Sequence, residues 1–179
     1  MKKLVVLRHA KTEPGGGATR DIDRVLLERG RRDAAAMAKY FKAQGHGCDL
    51  VLCSNAARTQ ETLSIFQPIA CAGAPVDVRS DLYLAEAAEM LALMRSLDDD
   101  VHSVLFVCHN PGAAELVQMM SHSPRNVREE DRHKRMRAKF STCSLAVIDL
   151  DIDLWQDARK QKGVLADFMR PRDLDLKES

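Results

Sequence analysis

Three short apolar runs in this chain each end on an arginine or a histidine, and that repeated device constrains the fold more than any other feature. Leu4-Val5-Val6-Leu7 runs into Arg8 and His9, Val51-Leu52-Cys53-Ser54 into Ala57-Arg58-Thr59, and Val104-Leu105-Phe106-Val107-Cys108 into His109-Asn110-Pro111-Gly112. Runs of this length and composition read as buried strands. Helical patterns alternate with them: one beginning near Leu27 to Gly30 and running to about Ala43, stopped by Gly45 and Gly47; about Ala56 to Phe66, stopped by Pro68; about Ala87 to Leu97; and Pro111 to Met120. Further strands are expected near 75–78, 144–150 and 164–168. The alternation predicts an α/β fold, a three-layer α/β/α sandwich around a mostly parallel mixed central sheet, as one domain over residues 1–179. Such sheets place ligands outside the carboxyl ends of their strands. Arg8, His9, Arg58 and His109 are therefore expected to converge there.

Four such groups in one pocket call for an anion, and a tetrahedral phosphoryl group fits them best. Arginine presents a planar fork of donors matched to phosphate oxygens. Imidazole attacks as a neutral nucleophile or donates hydrogen bonds as a cation. Two histidines in one site can divide those roles. The expected division is His9 neutral and His109 charged, which gives a bell-shaped pH–rate profile.

Composition removes several other classes. With 45% hydrophobic and 4% aromatic residues, the core is expected to be mostly aliphatic. There is no stretch of 18 apolar residues, so no membrane span is expected. Arg8 and His9 cut the first apolar run too early for a signal peptide. A net charge of +1 supplies no global field for nucleic acid. Five cysteines without a Cys-x-x-Cys pair argue against a disulfide framework or a zinc site, and a reducing cytoplasm is the expected location. His46, His102, His122 and His133 lack ligand spacing and read as surface residues. No cofactor or metal is expected.

The chain resembles the histidine phosphatase (phosphoglycerate-mutase-like) superfamily, and within it the SixA-type phosphohistidine phosphatases. The resemblance rests on Leu7-Arg8-His9-Ala10-Lys11-Thr12, on Asp23-Arg24-Val25-Leu26 with Gly30, on Ser54-Asn55-Ala56-Ala57-Arg58-Thr59-Gln60-Glu61-Thr62, on Leu82-Tyr83, on Cys108-His109-Asn110-Pro111-Gly112 and on Arg170-Pro171-Arg172-Asp173-Leu174. These pieces stand in the family's order over nearly the whole chain. The resemblance implies a metal-independent phosphatase in which His9 is the nucleophile and carries a covalent phosphohistidine. Arg8, Arg58 and His109 would bind the phosphoryl oxygens, with Arg24 and Thr12 as further phosphate ligands; for Arg24 a surface role stands equally open. The implied substrate is a phosphorylated protein, such as a histidine phosphotransfer domain. A small phosphoester is the alternative, and a binding module without turnover a third reading.

The chain also departs from that pattern. Leu27 stands where many relatives have a capping Ser or Thr, so the first long helix is expected to start later or to be capped otherwise. Cys108 replaces a common glycine and reads as a small buried side chain. Glu86 is a possible general acid, or it simply opens a helix whose first turn favours acids. Without a firm acid, a substrate that leaves as imidazole is favoured, because that nitrogen takes a proton near neutral pH. Residues 121–139 hold seven Lys or Arg against three acids. They read as a solvated loop or short exposed helix, or as a basic rim that steers an acidic partner.

Overall fold

The computed structural model describes residues 1–16 and 18–174; Gly17, the third glycine of the loop after His9, and residues 175–179 lie outside the described residues. The elements in chain order are β1 (Lys2–Arg8), α1 (Glu28–Ala43), β2 (Leu50–Ser54), α2 (Ala57–Ala70), β3 (Val76–Arg79), α3 (Ala87–Arg95), β4 (Ser103–Cys108), α4 (Gly112–Met120), α5 (Val127–Ala138), β5 (Leu145–Leu150), β6 (Gly163–Met169) and α6 (Pro171–Leu174). The six strands form one sheet in the order β3-β2-β4-β1-β5-β6. Strands β1 to β4 are mutually parallel, and β5 runs antiparallel to both β1 and β6.

Side-chain alternation along the strands fills both faces of this sheet. Leu4, Val6, Val104 and Phe106 join the core under α3 and α4. Val5, Leu7, Leu105 and Val107 join the core under α1 and α2. The strands between helical layers are buried on both sides, so they read as unbroken apolar runs. The α1 and α2 crossovers move outward along one face, and α3 returns along the other. The sheet therefore reverses direction beside β1 and β4, where open α/β sheets form their crevice.

Several expectations need amendment. Helix α2 runs through Pro68 to Ala70, because proline so close to the C-terminus removes only one hydrogen bond and the Cys71 N–H still donates to the Gln67 carbonyl at 2.9 Å. Helix α1 begins at Glu28, within its expected start, and Leu27 gives it no side-chain cap. The basic segment becomes α5, capped by Asn126, whose side chain accepts from the Glu129 N–H. That helix docks on β6, an edge strand: Arg132 and Arg135 donate to its Leu165 and Phe168 carbonyls at 3.0 and 3.2 Å. Two of its five Lys or Arg side chains thus have a structural use, and edge carbonyls are satisfied. His133 and His122, read as surface residues, are buried with this layer. Cys48 and Cys71 form a disulfide, since the packing of α1 on α2 brings the ends of both helices together with a Cα separation of 5.8 Å. The sequence spacing carried no sign of that pairing. Among the described residues no helix is long and apolar enough to cross a membrane, and no group of three or more His, Cys, Asp or Glu is placed to hold a metal.

Candidate active site

Strand register builds the site. Arg8 pairs with Cys108 at the last step of the β1–β4 ladder, so His9 and His109 leave adjacent strands at the same level. Neighbouring strands lie about 4.8 Å apart, and the two imidazole centroids are 5.3 Å apart. The β2–β4 ladder, which pairs Cys53 with Val107, puts Ser54 at the end of β2 beside them. Arg58 enters from the first turn of α2 and is almost wholly buried.

The residues of α2 that follow the strand each hold one wall. The Thr59 hydroxyl donates to the Ser54 carbonyl at 2.7 Å. Thr62 accepts the Ala10 N–H at 2.9 Å and donates to the Arg58 carbonyl at 2.6 Å, locking the turn that carries His9. Glu61 accepts from the Leu26 N–H at 2.7 Å and from Arg31 at 2.5 and 2.8 Å. Two glycines allow close backbone packing around the pocket. A Cβ on Gly30 would lie 2.2 Å from the Lys11 carbonyl, and one on Gly112 would lie 2.0 Å from the Ala85 carbonyl. Gly112 thereby lets the Tyr83-Leu84-Ala85 turn rest on the start of α4, with Leu84 at φ 53° on the pocket rim. That conformation is uncommon for a side chain as large as leucine.

The pocket has a volume of about 510 Å³, and Arg8, His9, Thr12, Asp21, Arg24 and Arg58 line it together with Lys11 and Glu13. His9 Nδ1 lies 2.8 Å from the Ala10 carbonyl, which can only accept, so Nδ1 carries the proton and Nε2 keeps its lone pair. Burial lowers the His9 pKa to about 4, helped by Arg58, Arg8 and Arg24 and opposed by that hydrogen bond. His9 is therefore neutral at physiological pH. His109 is lowered to about 3, by burial first and then by Arg58 and His9. The expected division of charge thus holds for His9 but not for His109, which is also neutral in the ligand-free protein. His109 Nε2 is 2.8 Å from the Ser54 hydroxyl, and its buried Nδ1 has no partner among the described residues. That bond runs either from the Ser54 hydroxyl to Nε2 or from Nε2–H to the hydroxyl, according to the tautomer of His109.

The arginines are held from several sides. Arg8 donates to the Phe140 carbonyl at 2.8 Å, and burial followed by Arg58 lowers its pKa. Arg58 donates to the Asp21 carbonyl at 2.6 Å and to Asp21 Oδ2 at 2.9 Å, and its guanidinium lies 5.7 Å from the Tyr83 ring centre. Arg24 lies on the pocket wall, donating to Thr12 Oγ1 at 2.5 Å, to Asp21 Oδ1 at 2.8 Å and to the Glu13 carbonyl at 3.1 Å. The Tyr83 hydroxyl donates to Asp21 Oδ2 at 2.6 Å; this bond, with Arg58 and Arg24, brings the Asp21 pKa down to about 2. Asp21 is thus a permanent acceptor. Cys108 is fully buried, its thiol pKa pushed up to about 12 by burial.

The structure brings Arg8, His9, Thr12, Arg24, Arg58 and His109 together. Glu86 lies apart: it is exposed at the start of α3, where its carboxylate accepts the Glu89 N–H while Glu89 accepts the Glu86 N–H at 2.8 Å. That reciprocal pair is a capping box. Sequence reasoning passed over Asp21, Ser54 and Tyr83 as site residues, although the last two stood in the quoted stretches. Asp21 had a signal in its place three residues before Arg24.

Comparison with known proteins agrees with this fold. Residues 4–88 match the model of the histidine phosphatase superfamily, branch 1. An uncharacterised Mycobacterium leprae protein is 30% identical over 169 residues, covering 93% of this chain and all of that protein. A crystal structure from Agrobacterium tumefaciens, described as a phosphohistidine phosphatase SixA, superposes with a TM-score of 0.78 at 28% identity, covering 95% of this chain and 98% of that one. A structure from Nakamurella multipartitia with the same description gives 0.79 at 28% identity, covering 95% and 96%. The fold and its SixA neighbours define a phosphatase. The chain belongs to the histidine phosphatase superfamily.

Proposed function

We propose that the protein removes the phosphoryl group from phosphohistidine in a partner protein, such as a histidine phosphotransfer domain, through a covalent intermediate on His9 and without a metal ion. The observation that carries this reading is the His9 imidazole: neutral, its Nδ1 proton committed to the Ala10 carbonyl, its Nε2 lone pair left for attack. In the first step Nε2 bonds to phosphorus while the bond to the leaving imidazole nitrogen breaks. The electron pair leaves on that nitrogen, which takes a proton from water. Water then adds to phosphorus, the bond to His9 breaks, and inorganic phosphate departs. Arg8 and Arg58 hold the nonbridging oxygens through both steps, and His109 gives them a further donor. Arg24 and Thr12 complete the phosphate ligands. A bound phosphate dianion adds negative charge beside His109 and favours its protonated form.

Neither Asp21, on the pocket wall, nor Glu86, outside it, is placed to act as a general acid, which favours a P–N substrate; Glu13 is the other carboxylate on the wall. Asp21 stays ionised down to about pH 2, so it does not deliver a proton to an alkoxide, and Glu86 is engaged in its capping box. One observation favours a small phosphomonoester instead: about 510 Å³ lies within the size range of small-molecule sites. Turnover by wild type and His9→Ala on a phosphohistidine protein and on p-nitrophenyl phosphate, with chelator present, separates the readings. His9-dependent preference for phosphohistidine is expected; preference for the ester shifts the assignment to a small-molecule phosphatase.

A further inference from the structure

A second cavity of about 410 Å³ adjoins the catalytic pocket, and Arg8, Lys11, Arg29, Lys139 and Arg172 stand in its wall. Asp33 is the one carboxylate among its lining residues. Five cations against one acid is a strong local excess in a chain whose net charge is +1. Arg8, Lys11 and Thr142 line both cavities, so the two share a wall.

The wall is built from fixed backbone. The Lys11 carbonyl accepts the Leu27 N–H at 2.9 Å and packs directly on Gly30, which ties Lys11 to the turn of α1 that carries Arg29. The Phe140 carbonyl, between Lys139 and Ser141, accepts from Arg8 at 2.8 Å and from Asn110 at 3.0 Å. Arg170, nearly wholly buried, grips Asp173 at 2.7 and 3.0 Å and anchors the turn that carries Arg172. The charged ends are less committed. Arg29 and Arg172 make only long pairs, at 3.9 Å with Asp33 and 3.7 Å with Asp173. Lys11 and Lys139 make no ion pair among the described residues. Anchored stems with lightly held charges suit an incoming anion.

We propose that this cavity is a second anion subsite, which takes a phosphate or carboxylate carried by the same substrate whose phosphoryl group sits against His9. The proposal rests on the reading of the His9 pocket as the phosphoryl site. An acidic side chain of a phosphoprotein and a second phosphate on a small molecule share this chemistry.

The test measures binding by calorimetry, independently of turnover. The probes are alkane α,ω-bisphosphates of increasing chain length, the matching alkyl monophosphates, and an acidic phosphohistidine peptide with its acid-to-amide counterpart. Wild type is expected to bind at least one doubly anionic probe about tenfold more tightly than its singly anionic match, a gain that linked sites produce. The triple substitution Arg29→Gln, Lys139→Gln, Arg172→Gln should erase that gain and leave p-nitrophenyl phosphate turnover unchanged, while Lys139→Arg should keep it. A gain with the peptide alone assigns the anion to a protein substrate, and a gain with bisphosphates alone to a small one. Equal affinity for matched probes, or a gain that survives the triple substitution, overturns the subsite. A protein that shows the gain but releases no phosphate from any substrate keeps the subsite and refutes the phosphatase mechanism.

Discussion

The catalytic pocket and the basic cavity beside it share Arg8, yet they use positive charge in opposite ways. In the catalytic pocket the arginines are held by fixed partners: Arg58 by Asp21, Arg24 by Thr12, Asp21 and Glu13, and Arg8 by the Phe140 carbonyl. In the second cavity Lys11 and Lys139 end in solvent. Preorganised donors act at a transition state because they need no rearrangement as charge develops. Mobile surface charges mainly select and steer. The contrast teaches that position along a buried strand end, rather than charge itself, separates chemistry from recognition.

The comparison breaks first at His9. His9→Ala is expected to lower kcat by roughly 10⁴-fold or more, in line with the removal of other covalent nucleophiles. Residual activity near wild type would move the nucleophile elsewhere. Arg58→Ala is expected to lower kcat about 10²- to 10³-fold, as loss of a transition-state donor does. Arg58→Lys should rescue little of it, because a point charge does not reproduce the fork. Steady-state kinetics on one substrate checks both, and a change confined to KM would demote Arg58 to uniform binding.

Ser54 sharpens the contrast, since it acts through His109. Ser54→Ala is expected to lower kcat about tenfold with little change in KM, on the scale of one lost hydrogen bond to a catalytic group. Ser54→Thr should restore it, and a merely structural role would show equal loss in thermal stability for both variants. Gly30→Ala and Gly112→Ala test the frame. Each pushes a Cβ against backbone, and each is expected to cost about 1–3 kcal/mol of stability in denaturant unfolding, the range for overpacking. Neutral substitution at either glycine would show that the turns on Lys11 or Ala85 yield easily.

The smallest effect concerns pH. Both histidines have folded pKa values, about 4 and about 3, below the ordinary 6.5. The unfolded chain therefore binds more protons between those values, so the stability they contribute is full above pH 6.5 and falls as pH drops toward 4. Paired replacement by Asn should flatten that slope in urea titrations. By the same shifts, kcat/KM corrected for substrate ionisation should lack an enzyme limb between about pH 5 and 8. A limb near 6.5 would mean that one of the two histidines titrates normally.

Much of this was legible before any coordinates. Arg8, His9, Arg58 and His109 follow apolar runs, and strand register alone carries them to one edge. The order of β1 to β4 and the helices between them was equally readable, because period and breakers are local. Tertiary partners were not. Nothing local to Asp21 says that Arg58, thirty-seven positions on, and Tyr83, sixty-two positions on, will share its carboxylate. The burial that holds His109 neutral comes from packing. The burial of α5 on β6 depends on an edge strand formed later in the chain, and the Cys48–Cys71 bond on two helix ends that only packing unites.

The most direct test of the central claim is rapid-quench labelling of the protein during turnover of a substrate carrying a radiolabelled phosphoryl group, followed by peptide mapping under alkaline conditions that preserve phosphohistidine. The account predicts transient label on the peptide containing His9, lost in His9→Ala and absent from the peptide containing His109. Label on His109, or turnover with no labelled protein at any quench time, would contradict it.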